Sequence, residues 1–504
     1  MRNVLAPAMA RKPKIDVHLN GDSSEYTTGD RIHGKVVIES NVETHFDAIE
    51  IKLVGQSKTF VDLMSALPGN QEISKGFQTF LTLRQPGLES LYPLDRTLRR
   101  GTPYEFPFEF VLPKRLVDGS CSHQTKGQAI REAHLALPPS FSRHNSIAKD
   151  GNVDSTIPET TAINYGISAA VLKSDKLNTN GDSRKIATTW REIFITPCTN
   201  AALPADVRKT TSGSAPSDYC LRSIKKMSKG IIRSPLGTVT VEAAPPKRLK
   251  LQRHEEGATH RFCTAPVNLT LRFDHKDSTI QAPQVSKITS RLEVNTFYTT
   301  SSHLDLPRKN DGTYYRNRRV YTKNLPSTAY TPEKVVWESV SAESEEPKDL
   351  NPAPAYLEIA ACEQYRTTEP SPTHSDSSRT TNLVVPVNIP VPTTLVPTFH
   401  SCLISRTYIL EMAIKLTTQG CNRTANLRLP LQIAIVSGDR FVDLPAGDQA
   451  IMDSILPAYF DDAHTSQVHA RQINTAGELE DNFLNQHLAS LAYTDSPPAY
   501  CVYL

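Results

Sequence analysis

Residues 26–55 read YTTGDRIHGKVVIESNVETHFDAIEIKLVG, and their punctuation decides the fold class. Thr28, Gly29 and Asp30 are turn formers. After them the chain alternates, with Ile32, Gly34, Val36 and Ile38 on one face and His33, Lys35, Val37 and Glu39 on the other. A break at residues 40–44 follows, and then Phe46, Ile49, Ile51 and Leu53 rebuild an apolar face that ends at Gly55. A sheet that is apolar on one side must be covered by a second layer, so the pattern predicts an all-β chain built from sandwiches.

Outward from this stretch the same period recurs. Residues 14–19, KIDVHL, alternate through Ile15, Val17 and Leu19 and read as the first strand. Residues 104–113, YEFPFEFVLP, add a strand of large aromatics in which Pro107 marks an edge or a bulge. Phe77, Phe80 and Leu83 indicate another strand. Residues 86–100 read as a long connection whose Leu-Tyr-Pro-Leu packs locally, and residues 114–132 as a polar stretch. A Ser-, Asn- and Asp-rich loop over 141–161 contains Arg143-His144-Asn145-Ser146, a pattern that basic-directed kinases accept, although it reads first as a solvated loop. Residues 165–173 and 190–196 close the first unit.

Taken in order, Tyr26-x-x-Gly29-Asp30-x-Ile32-x-Gly34-x-Val36, Ile51-x-Leu53-x-Gly55, Tyr104-x-Phe106-Pro107-Phe108-x-Phe110-x-Leu112-Pro113, Leu137-Pro138-Pro139-Ser140 and Tyr165-x-Ile167-x-Ala169-x-Val171 form a set. It resembles the N-terminal domain of the arrestin family, in its fungal trafficking-adaptor (alpha-arrestin) branch. The second half extends the resemblance. A Pro-, Ala-, Thr- and Ser-rich linker over 197–219 and a basic run (Arg222, Lys225, Lys226, Lys229, Arg233) precede fresh alternation in 237–244, 267–273 and 288–297. Val396-Pro397-Thr398-Phe399-x-Ser401-Cys402-x-x-Ser405-Arg406-x-Tyr408 is similar to the segment that leads into the last strands of the fungal adaptors. Tyr408, Leu410, Met412, Ile414 and Leu416 then form one sheet face, and Leu431, Ile433 and Ile435 another. The expected layout is an N-terminal sandwich over 13–200, a linker over 201–221 and a C-terminal sandwich over 222–437. A disordered insertion at 339–381 and a flexible tail over 438–504 complete it.

Composition excludes several classes. The chain has 504 residues, of which 38% are hydrophobic and 22% charged, which supports modest cores. A net charge of +3 gives no argument for nucleic-acid binding. Eight cysteines (121, 198, 220, 263, 362, 402, 421 and 501) are scattered without a Cys-x-x-Cys pair, and read as reduced thiols rather than a disulfide framework. The first residues carry too short an apolar run for a signal peptide, and no apolar run approaches the length of a membrane span. Without secretion, the sequons at Asn268 and Asn422 carry no meaning.

No catalytic residue, metal ligand or cofactor site is assigned. His254-Glu-Glu-Gly-Ala-Thr-His260 spaces its histidines too widely for one helical face, so it fails the zinc-protease pattern. There is no nucleophile elbow, no phosphate-binding loop and no dinucleotide fingerprint. The informative chemistry lies in the tail, beside an apolar set at helical spacing (Leu479, Phe483, Leu484, Leu488). Pro497-Pro498-Ala499-Tyr500 is a ligand for WW domains: its prolines preform a polyproline II helix, and the tyrosine ring enters a neighbouring groove. Leu456-Pro457-Ala458-Tyr459 is the weaker variant, and Pro354-Ala355-Tyr356 a third that lacks the first proline. A flexible tail separates Tyr459 from Tyr500 by roughly 35 Å, within reach of tandem WW domains.

The resemblance implies a cytosolic adaptor, recruited peripherally to the plasma membrane and endosomes. It would bind a transporter or receptor and bring to it a HECT-type ubiquitin ligase with WW domains, which promotes endocytosis. Basic clusters at Arg316, Arg318 and Arg319 and at Lys247, Arg248 and Lys250 are available for acidic cargo tails or an anionic membrane surface, or are solvated loops. The alternative is a retromer-like coat or scaffold subunit in endosomal sorting that recruits no ligase. The sequence assigns no members to an ionic latch between the sandwiches, of the kind known in receptor-binding arrestins.

Overall fold

A computed structural model describes residues 12–21, 25–63, 72–143, 154–174, 183–198, 218–229, 234–252, 261–275, 279–340, 377–391, 395–436 and 469–473. The alternation of the opening stretch becomes strand Arg31–Glu39, in which Ile32, Gly34, Val36 and Ile38 are buried and Arg31, His33 and Glu39 exposed. It pairs antiparallel with Lys14–Leu19 on one side and with Pro103–Val111 on the other. Pro107 therefore sits in an edge strand, the place where a missing N–H costs no ladder bond.

The facing sheet runs in the order Glu25–Tyr26, Ser183–Ile195, Thr161–Ser174, Ala48–Leu63, Glu72–Arg84, His469–Ile473, with Phe141–Ser142 also paired to Thr161–Ser174. Between the two sheets lie Ile32, Val36, Ile38, Phe46, Ile51, Leu53, Phe106, Phe110, Ile163 and Tyr165. Gly55 is required here. A Cβ on it would meet the Phe80 ring at 2.6 Å and the Tyr165 ring at 2.8 Å, and these rings pack edge-to-face at 5.4 Å. Of the Leu-Tyr-Pro-Leu in the 86–100 connection only Tyr92 packs: it hydrogen-bonds the backbone of Ile49 and lies edge-on against Phe46, whereas Leu91 and Leu94 are exposed.

The second unit repeats the scheme. One sheet has the order Arg222–Lys229, Ser234–Ala243, Arg261–His275, Ser377–Val391, Glu338–Val340. The other centres on Gln284–Thr299 and Ile404–Thr418, flanked by Arg318–Asn324, Thr328–Tyr330, Phe399–His400 and Cys421–Leu431. Val239, Val267, Leu271, Phe273, Leu292, Leu410, Ile414 and Leu429 fill the space between them.

Several observations depart from the sequence reading, among them the burial of Phe141, Asp154, Thr156 and Ile157 in the 141–161 stretch that reads as a solvated loop. Glu338–Val340 and Ser377–Val391 carry regular strand into both ends of the 339–381 segment. Those ends look unstructured because they are polar, yet backbone pairing with Arg261–His275 holds the longer strand as far as His275↔Ser377. Within the 438–504 tail, His469–Ile473 pairs antiparallel with Ile73–Phe77 and adds a strand to the first unit, closing an edge of open backbone groups. The polar stretch 114–132 holds the turn Asp118–Ser120 and leads into a helix, Gln128–Leu135.

A charge cluster around the buried Glu293, with charged partners only partly buried, organises the second sandwich. The Glu293 carboxylate takes Lys309 Nζ at 2.7 Å, Arg428 Nη2 at 3.0 Å and Asn295 Nδ2 at 2.8 Å, and Arg428 also pairs with Glu411. Arg428 Nε reaches the carbonyl of Asp218, and Asp218 takes the Lys309 amide, which ties the start of the unit to its second sheet. Burial pushes the Glu293 carboxyl up, but the bonds from Lys309 and Asn295 and the Arg428 charge outweigh it and leave it below the usual value. Glu293 therefore contributes stability that is complete above the unfolded carboxylate range and is lost as pH falls through its depressed folded value. Burial, the largest cause, instead pushes Asp218 up, so its contribution has the opposite sign and is lost as pH rises. Glu293→Gln is expected to cost about 2–3 kcal/mol at pH 7, with a deficit that shrinks as pH drops toward 3. Denaturant midpoints read by Trp337 across that range check it; a deficit independent of pH would show that the charge is not what stabilises.

Candidate functional site

The 395–408 segment begins as a chain that cannot pair regularly, because Pro397 offers no N–H. The short strand Phe399–His400 then folds back on Ile404–Thr418 through a turn closed by Ser401, whose hydroxyl donates to Ile404 O at 2.7 Å and accepts from Ile404 N. This turn carries residues of the second sandwich out of their own core. Val396, Phe399, Cys402, Leu403 and Ile404 all belong to the hydrophobic cluster of the first sandwich, where Phe399 packs edge-on against Phe141 at 5.6 Å.

Arg406 follows on the same strand, opposite Thr296, and its side chain is fully buried. Nη1 donates to Thr156 O at 2.7 Å and to the Thr296 hydroxyl, Nη2 to the Thr156 hydroxyl, and Nε to the Tyr408 hydroxyl at 3.3 Å. The guanidinium also lies over the rings of Phe141 and Tyr408, at 5.6 and 5.5 Å. Burial pushes the Tyr408 phenol up, against the lowering effect of Arg406, so it stays neutral and donates to Val396 O. Asp154 is buried in the same loop and takes the Thr156 amide at 2.8 Å, which shapes the turn that offers its carbonyl to Arg406. Among the described residues Arg406 forms no ion pair, so the latch between the sandwiches is a buried cation held by neutral oxygens and aromatic faces.

Further contacts extend this seam. Thr59 donates to Thr299 O at 2.7 Å, Ser74 and Thr300 share a hydrogen bond of 2.7 Å, and Tyr321 donates to Ser155 O at 2.9 Å. Gly76 permits the close approach, since a Cβ there would come within 2.8 Å of Thr300 Cα. Beside the latch, Cys121, His123, His134 and Cys402 converge. The Cys402 sulfur beside it, ahead of burial, lowers the Cys121 thiol, and the same contact raises that of Cys402.

The residues singled out in the sequence fall in different places. Arg318 turns inward: its side chain is 12% exposed, pairs with Asp311 at 3.2 Å and stacks on Tyr315 at 4.1 Å. Arg319 donates to Asp62 O at 2.6 Å and so belongs to the seam between the sandwiches. Arg316, Lys247 and Lys250 are exposed, and Arg248 is half-buried. Pro497, Pro498 and Tyr500, Leu456, Pro457 and Tyr459, and the His254–His260 pair lie outside the described residues. The latch was present in the sequence only as the Ser405-Arg406-x-Tyr408 motif; nothing in it named Thr156 as the partner.

Two β-sandwiches in tandem, docked through the crossing turn and a buried arginine, define an arrestin-type architecture. Family comparison agrees in both halves: residues 15–185 match the N-terminal domain of arrestin (or S-antigen), and residues 315–436 match the Bul1 C terminus, a yeast arrestin-related trafficking adaptor family. The chain belongs to the arrestin family and is a trafficking adaptor, whose domains are of a non-catalytic kind. No curated protein matches it. No helix among the described residues is long and apolar enough to cross a membrane.

Proposed function

We propose that this adaptor couples a membrane transporter or receptor to a HECT-type ubiquitin ligase and so promotes ubiquitin-dependent endocytosis from the plasma membrane and onward traffic through endosomes. The observation that carries the reading is the Pro497-Pro498-Ala499-Tyr500 ligand for WW domains at the end of a chain whose two matched regions belong to arrestin-type adaptors. Leu456-Pro457-Ala458-Tyr459 adds a second, weaker ligand, so that tandem WW domains gain from effective concentration. Cargo recognition falls to the sandwiches, with the exposed Arg316, Lys247 and Lys250 suited to acidic cytosolic tails or anionic lipid.

Titration of the full chain with a tandem WW protein tests the ligase arm. Tyr500→Ala is expected to weaken binding by about tenfold or more, and the Tyr459→Ala, Tyr500→Ala double variant to lower it to background. Equal binding by the wild type and the double variant would remove the ligase and leave the reading of a retromer-like coat or scaffold subunit. If Tyr500→Ala alone abolished binding, the ligase would stay and the second ligand would go.

A further inference from the structure

Four side chains that could each ligate a metal meet where the crossing turn enters the first sandwich. Cys121 follows the turn Asp118–Ser120, His123 lies two residues on, His134 projects from the helix Gln128–Leu135, and Cys402 sits in the 401–403 turn of the second sandwich. One donor atom from each lies within 4.8 Å of all the others. Cys121 Sγ is 3.7 Å from His123 Nδ1 and 3.8 Å from His134 Nδ1. A zinc ion bound by sulfur at about 2.3 Å and by nitrogen at about 2.0–2.1 Å sets sulfur–nitrogen edges of about 3.5 Å in a tetrahedron. The two edges from Cys121 Sγ are a few tenths of an ångström longer, and every other donor pair lies within 4.8 Å, so metal binding draws the four side chains together. Cys121, His134 and Cys402 are all buried, in keeping with a closed structural site rather than an open catalytic one.

We propose that Cys121, His123, His134 and Cys402 form a Cys2His2 zinc site that staples the two sandwiches together. The surroundings already orient the ligands. His123 Nε2 donates to His303 O at 3.1 Å, which leaves Nδ1 as the ligating atom; Cys121 Sγ lies 3.7 Å from Nδ1 and 3.8 Å from Nε2, so the ring turns on binding to aim Nδ1 at the metal. The His303 amide donates in turn to Cys402 O at 2.8 Å, so one residue positions a ligand from each sandwich. Gln78, buried and donating to Ser120 O at 2.8 Å, lies beside the Cys402 sulfur. In the bound form both sulfurs are thiolates, any remaining thiol proton having passed to solvent, and together they neutralise the dication in a buried place. Paired soft thiolates with imidazoles at tetrahedral spacing select zinc over hard, oxygen-seeking cations.

The test uses the full chain, purified under reducing conditions, offered excess zinc and dialysed against metal-free buffer. Elemental analysis is expected to find about one zinc per chain, and under about a tenth in the Cys121→Ser, Cys402→Ser double variant. Cys220→Ser, at a thiol that contacts only the backbone carbonyls of Arg222 and Asn426, is the control and should retain the metal. Gln78→Ala should weaken zinc binding by about tenfold or more. Cobalt exchanged into the wild type should show the strong visible bands of a tetrahedral ion together with sulfur-to-cobalt charge transfer, a signature that needs no variant to fold. Retention below a tenth of an equivalent by folded wild type would overturn the proposal. So would an octahedral cobalt spectrum, equal zinc in the wild type and the double variant, or a quantitative Cys121–Cys402 disulfide in non-reducing mass spectrometry.

Discussion

Arg406→Ala is expected to cost about 3–5 kcal/mol, because truncation leaves a cavity and strips several buried acceptors at once. Thr156 O, the Thr156 and Thr296 hydroxyls and the Tyr408 hydroxyl all lose a partner, and all belong to buried residues. Arg406→Lys should recover less than half of the loss, since an ammonium on a flexible stem cannot span acceptors on two strands or stack between Phe141 and Tyr408. The chain has two tryptophans, Trp190 in a strand of the first sandwich and Trp337 beside the second core, so single-tryptophan variants report each unit by fluorescence. The latch joins Thr156 of the first unit to Thr296 of the second, and both midpoints should fall together in denaturant. A loss under about 1 kcal/mol, or one confined to Trp337, would show that Arg406 serves its own strand and not the junction.

Phe399→Ala should be nearly as damaging, at about 3–5 kcal/mol, for a different reason. Phe399 is reached along the chain of the second sandwich but is buried in the hydrophobic cluster of the first, against Phe141. Its removal opens a cavity in a core that its own sheet does not enclose, and the crossing turn loses its anchor. The Trp190 midpoint should drop, although the substitution lies more than 200 residues further along the chain. Val387→Ala, whose side chain packs only in the second cluster, should by contrast lower the Trp337 midpoint first. A double-mutant cycle of Phe141→Leu with Phe399→Leu should give a coupling of about 0.5–1.5 kcal/mol, and a coupling of zero would deny the ring contact.

Much of the fold was legible because a strand with one buried face writes its own period. Ile32, Val36 and Ile38, or Tyr408, Leu410, Met412, Ile414 and Leu416, alternate in the sequence as they do in the sandwich. The helix Gln128–Leu135 was not legible, for its buried face is made of Ile130, Ala133, His134 and Leu135, of which only two read as large and apolar, and Gly127 provides no capping side chain. Strand in the Ser- and Thr-rich residues 377–381 escaped notice for a related reason: pairing with a long neighbour, not a hydrophobic face, holds it there.

The sequence by itself determined the all-β class, the faces of the main strands, the place of Pro107 at an edge or a bulge and the membership of an adaptor family, since each depends on residues close together in the chain. Tertiary structure alone decided which residues meet across the seam. No periodicity tells Arg406 that its acceptor is Thr156, or brings Cys402 to Cys121, His123 and His134. Nor does a run of arginines reveal that the Arg318 side chain turns inward and that Arg319 reaches across the seam to Asp62. Such pairings follow from how two finished surfaces dock, and docking depends on shape and on the burial of groups far apart in sequence.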